Sequence, residues 1–319
     1  MRLAAIVTGN AGRQRQATAE HPESRIVDSA DDLFRDPSQV DLVVISTPNR
    51  THVPLASRAI EAKRPVVVDK PLAVTSAEAR HLVGEARQQG VFLSVYQNRR
   101  WDGDFLTVRR LLAEQALGNV LRFESHLDRW RPIAKGGWRE LGDPAEAGGL
   151  LFDLGSHLID QALTLFGPVN NVYAELDMRR RDVAADDDVF LALTHRSGVR
   201  SHLSASVLVA QSGPRLRVLG DRAAYTKMTP DVQEDALRRG ERPDAPDWGL
   251  ERPEQYGLLG VGNDVRPVPT ERGDYRGFYR GVVRSLREGA PPPVDPNDAI
   301  TTLEIIETAR RSTHKPSST

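Results

Sequence analysis

Residues 66–75 read VVVDKPLAVT, and this stretch decides the fold. Three valines run directly into Asp69, Lys70 and Pro71, so an apolar strand ends on a carboxylate, an ammonium group and an imino acid. A run that is apolar on both faces is what a strand covered on both sides by helices requires. The neighbouring segments repeat the pattern. Strands are expected at Leu3 to Val7, Arg25 to Val27, Asp41 to Ser46, Val66 to Val68 and Val91 to Val95, and helices at Ala11 to Glu20, Ala30 to Phe34 and Thr51 to Ala62. A further helix, opened by a Thr75/Glu78 capping box, closes near Gly90. Such alternation predicts a parallel sheet with helices on both faces.

After Gln97 the pattern changes. A helix is expected from Asp104 to Ala116, then strands alternating apolar and polar: Val120 to Leu127, Asn171 to Met178, Val189 to Leu193, Val199 to Val209, Arg215 to Leu219 and Ala223 to Met228. Residues 229–272 read as a long surface excursion, and helices at Tyr275 to Arg287 and Pro296 to Arg311 close the chain. The expected class is therefore α/β: a Rossmann-type parallel-sheet domain over residues 1–97, followed by an α+β domain over residues 98–319 with an open, mostly antiparallel sheet.

The composition limits the function. The chain has 319 residues, 39% hydrophobic and 27% charged, with a net charge of −1, so two soluble domains are expected and nucleic acid is a poor partner. No apolar run approaches membrane-spanning length, and no export signal opens the sequence. The absence of cysteine excludes disulfides, thiolate metal sites and thiol catalysis and fits a cytoplasmic location. Only five residues are lysine, which leaves 38 of the 43 basic residues as arginine. A lysine at a strand end is thus set apart, and lysine is the cation whose pKa shifts readily on burial.

Three polar clusters fall beyond the carboxyl ends of strands, where ligands bind in open parallel sheets. They are Ser46, Thr47, Pro48, Asn49 and His52; Asp69, Lys70 and Pro71; and Gln97 and Asn98 within "YQNRRW", residues 96–101. The plainer account of the first is a turn with a helix cap. A fourth stretch, "GGLLFDLGSHLIDQALTLFG", residues 148–167, places Asp153, Ser156, His157, Asp160, Gln161 and Thr164 on one stripe at helical pitch. It contains no Arg, Lys or Glu, so it reads as a cleft lining as readily as a solvated face. Asp153 and His157, four apart, are close enough for the carboxylate to orient the imidazole as a general base.

In this order and spacing, strand-TPNxxH, strand-DKP and GGxxxDxGxHxxD resemble the Gfo/Idh/MocA oxidoreductases across nearly the whole chain. The resemblance implies hydride transfer between NAD(P) and a sugar, cyclitol or related alcohol. It implies Lys70 on the reacting oxygen, Pro71 shaping its turn, Asp153 orienting, His157 moving the proton, and Thr47, Pro48, Asn49 and His52 on the cofactor side. It also implies a homo-oligomer through the sheet of the second domain.

The family's opening G-x-G-x-x-G turn, which brings backbone N–H groups to the pyrophosphate, is not in the sequence. "RLAAIVTGN" resembles the second strand of the pattern, so the chain is expected to begin one strand–helix unit late, by roughly 25–30 residues. A start codon set too far downstream leads that expectation, ahead of a truncated or degenerate copy. The first strand would then pair with Asp41 to Ser46, or leave a gap. Thr8, Gly9 and Asn10 end that strand with Arg13 nearby. With no carboxylate there to repel a 2′-phosphate, the cofactor leans to NADP. Two other readings stand beside the dehydrogenase: a non-catalytic sensor on the same fold, and a metal-dependent hydrolase or isomerase using His157, Asp153 and Asp160. No H-x-H or H-E-x-x-H spacing supports the latter, and no metal is expected.

Overall fold

The computed structural model describes residues 1–137 and 140–313, so positions 138–139 and 314–319 of the expected second domain lie outside the described residues. The chain forms two compact units, Met1–Tyr96 with Gly281–Ile300, and Gln97–Arg280 with the residues from Thr301 onward.

The first unit alternates strand and helix, as the apolar runs dictate. Its elements are β1 (Ala5–Val7), α1 (Ala11–Glu20), β2 (Arg25–Val27), α2 (Ala30–Phe34), β3 (Val43–Ile45), α3 (His52–Glu61), β4 (Val66–Asp69), α4 (Ser76–Gln89) and β5 (Leu93–Tyr96). All strand pairings are parallel. Val66, Val67 and Val68 are fully buried, as strands covered on both faces must be. The Thr75/Glu78 capping box is formed, and α4 ends at Gly90 in the left-handed conformation with φ +65°. Ser94 Oγ donates to Val294 O at 2.8 Å, which fastens the returning segment to β5.

The sheet is split. β1 pairs only with β2, while β3, β4 and β5 form a separate three-stranded sheet. Of the two outcomes expected for the first strand, the gap is the one found. An open slot of about 850 Å³ lies between the strands, lined by Ile6 and Val7 on one side and by Val43, Val44 and Ile45 on the other. The expectation that Asp41 to Ser46 is buried on both faces therefore fails at its centre: Val44 is 47% exposed.

The second unit opens with α5 (Gly103–Ala113), β6 (Val120–Asp128) and α6 (Ser156–Phe166). It continues through β7 (Val169–Asp177), β8 (Asp188–His195), β9 (Arg200–Ser206), β10 (Leu216–Gly220), β11 (Ala224–Lys227), α7 (Gln233–Arg238), β12 (Gly257–Val261) and β13 (Asp264–Val268). The last two helices of the chain are α8 (Arg276–Glu288) and α9 (Pro296–Thr313), of which residues 281–300 belong to the first unit. The eight strands order as β13-β12-β11-β10-β6-β9-β8-β7, antiparallel except for the parallel β6–β9 pair. The expected excursion over 229–272 is in part sheet. Val261 pairs with Asp264 across the two-residue turn Gly262-Asn263, with Gly262 at φ +59°. That dipeptide is a hairpin signal, masked in the sequence by the Pro and Gly around it. Pro267 is tolerated because β13 is the edge strand.

The slot yields a stability contrast. Val67→Thr buries a hydroxyl in a fully enclosed strand and is expected to cost about 1–3 kcal/mol. Val44→Thr, on the slot, should stay within about 0.5 kcal/mol of the parent. Denaturant titration of both variants checks this.

Candidate active site

The ligand edge of the first unit is built from the loops after β1, β3 and β4. Thr51 Oγ1 donates to Pro48 O at 2.7 Å, closing the turn after β3 and leaving Ser46, Thr47 and Pro48 exposed. His52 is buried, and both ring nitrogens meet carbonyl oxygens, Nδ1 with Pro71 O at 2.7 Å and Nε2 with Thr47 O at 2.9 Å. Its part is to brace the β3 loop against the Lys70-Pro71 turn; neither ring nitrogen is left for a ligand. Lys70 follows β4, half-buried, with its backbone N–H donated to Asp69 Oδ1 at 2.8 Å, and the Lys70–Pro71 bond is cis. Asn10 caps α1 by accepting from Arg13 N at 3.0 Å, while the Arg13 side chain is exposed.

In the second unit the polar stripe of residues 153–164 is not a solvated face. Ser156, His157, Asp160 and Gln161 are all buried. Most of the stripe is scaffold. Arg100 grips Asp160 through two bonds, Nε to Oδ2 at 2.8 Å and Nη2 to Oδ1 at 2.6 Å. Gln161 Nε2 donates to Arg99 O at 3.0 Å, and its Oε1 accepts from Arg215 Nη2 at 3.3 Å. The Ser156 and Thr164 hydroxyls donate to Phe152 O and Asp160 O, each at 2.7 Å. Asp153 lines a pocket, and His157 is buried.

The helical pitch expected through residues 148–167 breaks at its start. Leu151–Gly155 is π-helical and α6 begins only at Ser156, so the α-helical i, i+4 geometry does not hold from Asp153 to His157. The turn is anchored at its start. Gly149 has φ +96°, and a Cβ there would lie 2.2 Å from Asp186 Oδ1. Without one, the Asp186 carboxylate reaches in and accepts from Leu151 N at 2.6 Å, satisfying an orphan donor at the start of the turn. π-turns inside helices occur often at functional sites.

Gln97 is buried and Asn98 half-buried, at the start of the short 3₁₀ turn Asn98–Trp101. The next residue is structural: Arg99 bonds Asp102 at 3.1 Å and Glu234 at 2.6 Å. Arg129, Arg131 and Asp186, absent from the expected site, line the same pocket as Asp153, whose volume is about 180 Å³. The paired glycines at 148–149 and the R-x-R spacing at the end of an alternating strand were the available signals. Among the described residues no group of three or more His, Asp or Glu is placed to hold a metal.

The description "Oxidoreductase family, NAD-binding Rossmann fold" matches residues 1–97, and "Oxidoreductase family, C-terminal alpha/beta domain" matches residues 109–317. The chain belongs to the Gfo/Idh/MocA oxidoreductase family. This member is 36% identical over 304 residues to scyllo-inositol 2-dehydrogenase (NADP(+)) IolW of Bacillus subtilis, a match over 94% of this chain and 84% of that protein. It is 28% identical over 295 residues to D-apiose dehydrogenase of Paraburkholderia graminis, covering 86% and 73% of the two chains. Among solved structures, the oxidoreductase YvaA of B. subtilis superposes with a TM-score of 0.90 at 34% identity, covering 98% of this chain and 88% of that one. Among the described residues of this family member, no helix is long and apolar enough to cross a membrane.

Asp231 provides a pH test of the buried network in the second unit. It accepts from Gly103 N at 2.7 Å and Gln233 N at 2.8 Å. Burial, and next the Asp104 charge, push its pKa from 3.8 up to about 6. The folded form thus holds its proton more tightly than the unfolded chain, and stability falls as pH rises from about 4 to 6. In Asp231→Asn that group no longer titrates. The stability of the parent relative to the variant should drop by roughly 2–3 kcal/mol across this window. A pH-independent difference contradicts the assignment.

Proposed function

We propose that this protein is an NAD(P)-linked oxidoreductase acting on a sugar, cyclitol or related hydroxyl or carbonyl compound, with Lys70, Asp153 and His157 as its catalytic group. The observation that carries the reading is the π-turn, which sets Asp153 into a pocket directly ahead of the buried His157. The names of two relatives, a scyllo-inositol dehydrogenase and an apiose dehydrogenase, support the substrate class.

In the oxidative direction His157 takes the hydroxyl proton of the substrate while Asp153 fixes the tautomer and orientation of the ring. The Lys70 ammonium donates a hydrogen bond to the same oxygen and stabilises the negative charge that grows on it. The bound nicotinamide supplies the hydride acceptor, or the donor in reverse.

A dinucleotide fits the chain at two places. Arg13 and the Thr8-Gly9-Asn10 turn suit a ribose 2′-phosphate, and the loops at Thr47 and Lys70, with Gln97 and Asn98, suit the nicotinamide end. The pyrophosphate is the poorer fit. No G-x-G-x-x-G occurs in the sequence, and the slot lies between the two edges that a central strand would join. A sensor on the same fold is the second reading, and hydride-transfer assays decide between them. For self-association we assign the open face of the eight-stranded sheet, where Tyr173, 54% exposed, meets Phe190 edge-on.

Under dinucleotide-saturating conditions His157→Ala should lower turnover by about 10²–10⁴-fold with cofactor affinity near normal. Lys70→Arg should not restore what Lys70→Ala loses, because a guanidinium is larger and presents a planar fork where the ammonium is a compact point charge. Unchanged turnover in either set, followed by absorbance at the nicotinamide band, removes the assignment.

The open Arg13 and the lack of a carboxylate at the end of β1 favour NADP, as does the NADP(+) in the name of IolW. Dinucleotide titrations at equal concentration should show tighter binding of NADP than of NAD, and Arg13→Ala should narrow the gap. A clear preference for NAD overturns this.

A further inference from the structure

Beyond Asp128 the chain stays extended. Arg129 N donates to Ser206 O at 2.8 Å, Arg131 N donates to Val207 O at 2.7 Å, and Trp130 bridges to Leu208. Residues two apart in an extended chain share a face, so Arg129 and Arg131 point the same way, and both line the pocket that holds Asp153. Lys135 lines it too.

The acids of this pocket are already engaged. Glu140 accepts from Lys135 N at 2.8 Å and Gly136 N at 2.7 Å, and pairs with Arg180 at 2.9 Å. Arg180 is held on its other side by Asp187 at 2.8 Å. Asp186 accepts from Leu151 N at 2.6 Å, with Arg310 3.7 Å away. Among the described residues no carboxylate pairs with the side chains of Arg129, Arg131 or Lys135, in a chain with 44 acidic residues. Arg129 is half-buried, and burial first, then the charge of Arg131, lower its pKa. The half-buried Arg129 guanidinium, with the charge of the exposed Arg131 near it, gains from an anion seated beside both.

We infer that the substrate of this site carries a carboxylate, seated on Arg129 and Arg131 with its reacting hydroxyl toward Asp153. The substrate class is then an acidic sugar rather than a neutral cyclitol. This rests on the oxidoreductase reading only in placing the reacting group. A singly charged carboxylate is the better match than a phosphate, because the charges of Asp153 and Glu234 also reach Arg129 and offset part of the field.

The test is calorimetric titration of the parent protein with D-glucuronate and with D-glucose, which differ at one carbon, at low salt. Glucuronate should bind at least about tenfold more tightly, and added salt should weaken it. Arg131→Gln, at an exposed position that leaves the fold intact, should remove most of that preference, and Arg129→Gln the same provided its melting temperature is retained. Equal binding of the two sugars, heat from neither, or a preference untouched in Arg131→Gln overturns the inference. Reduction of dinucleotide by a neutral polyol with no glucuronate binding would leave the oxidoreductase standing and remove the acidic substrate. Arg-dependent glucuronate binding without hydride transfer to any sugar would do the reverse.

Discussion

Asp160 is a carboxylate at 2% exposure, and the Arg100 guanidinium laid across both its oxygens is what makes that position tolerable. Removing the cation would leave a buried charge without compensation, a loss of about 3–5 kcal/mol in comparable cases. The pair also has a geometric effect. It ties the segment that follows β5 to α6, and the Gln161 bonds to Arg99 O and Arg215 repeat the tie one residue further on. Those side chains are committed to the scaffold, and Asp153 and His157 are the members of the stripe proposed above for the chemistry. The π-turn that carries Asp153 is itself held by Asp186, through a gap that only a glycine at 149 leaves open.

The first unit follows the same logic with a histidine in place of the ion pair. The loops after β3 and β4 are both short and polar, and each would be free to move without a link. His52, between Thr47 O and Pro71 O, is that link. His52 thus braces the turn that begins at Lys70. On the far side of the sheet the slot between β1 and β3 leaves two strand edges unpaired, and Val44 exposed where Val67, one strand over, is enclosed.

Much of this was legible in the sequence. The β4 strand, the capping box of α4, the split between a parallel and a mostly antiparallel half, and the ligand-edge placement of Thr47 and Lys70 all follow from periodicity and from where polar residues end an apolar run. What was not legible depended on distant partners. Nothing near His52 says that it meets Pro71, nineteen residues on. Nothing in the 148–167 stretch says that Asp186 will anchor its first turn, because the steric gap at Gly149 exists only once Asp186 is folded against it. The stripe looked uniform, and only folding shows which of its members, Ser156, Asp160, Gln161 and Thr164, hold the scaffold. The β12–β13 hairpin was lost for a different reason: its Gly262-Asn263 turn sits among so many breakers that the signal does not stand out.

The central claim is that the chain moves a hydride between a nicotinamide and a carbonyl or alcohol carbon. The most direct measurement is incubation with NADPH deuterated at C4, in the R and S forms separately, with a panel of keto-cyclitols, ketoses and keto sugar acids, followed by mass spectrometry of the products. One of the two labelled forms should give an alcohol carrying one deuterium on the reduced carbon. An alcohol that carries no label from either form, or no reduction of any member of the panel at saturating dinucleotide, would contradict it.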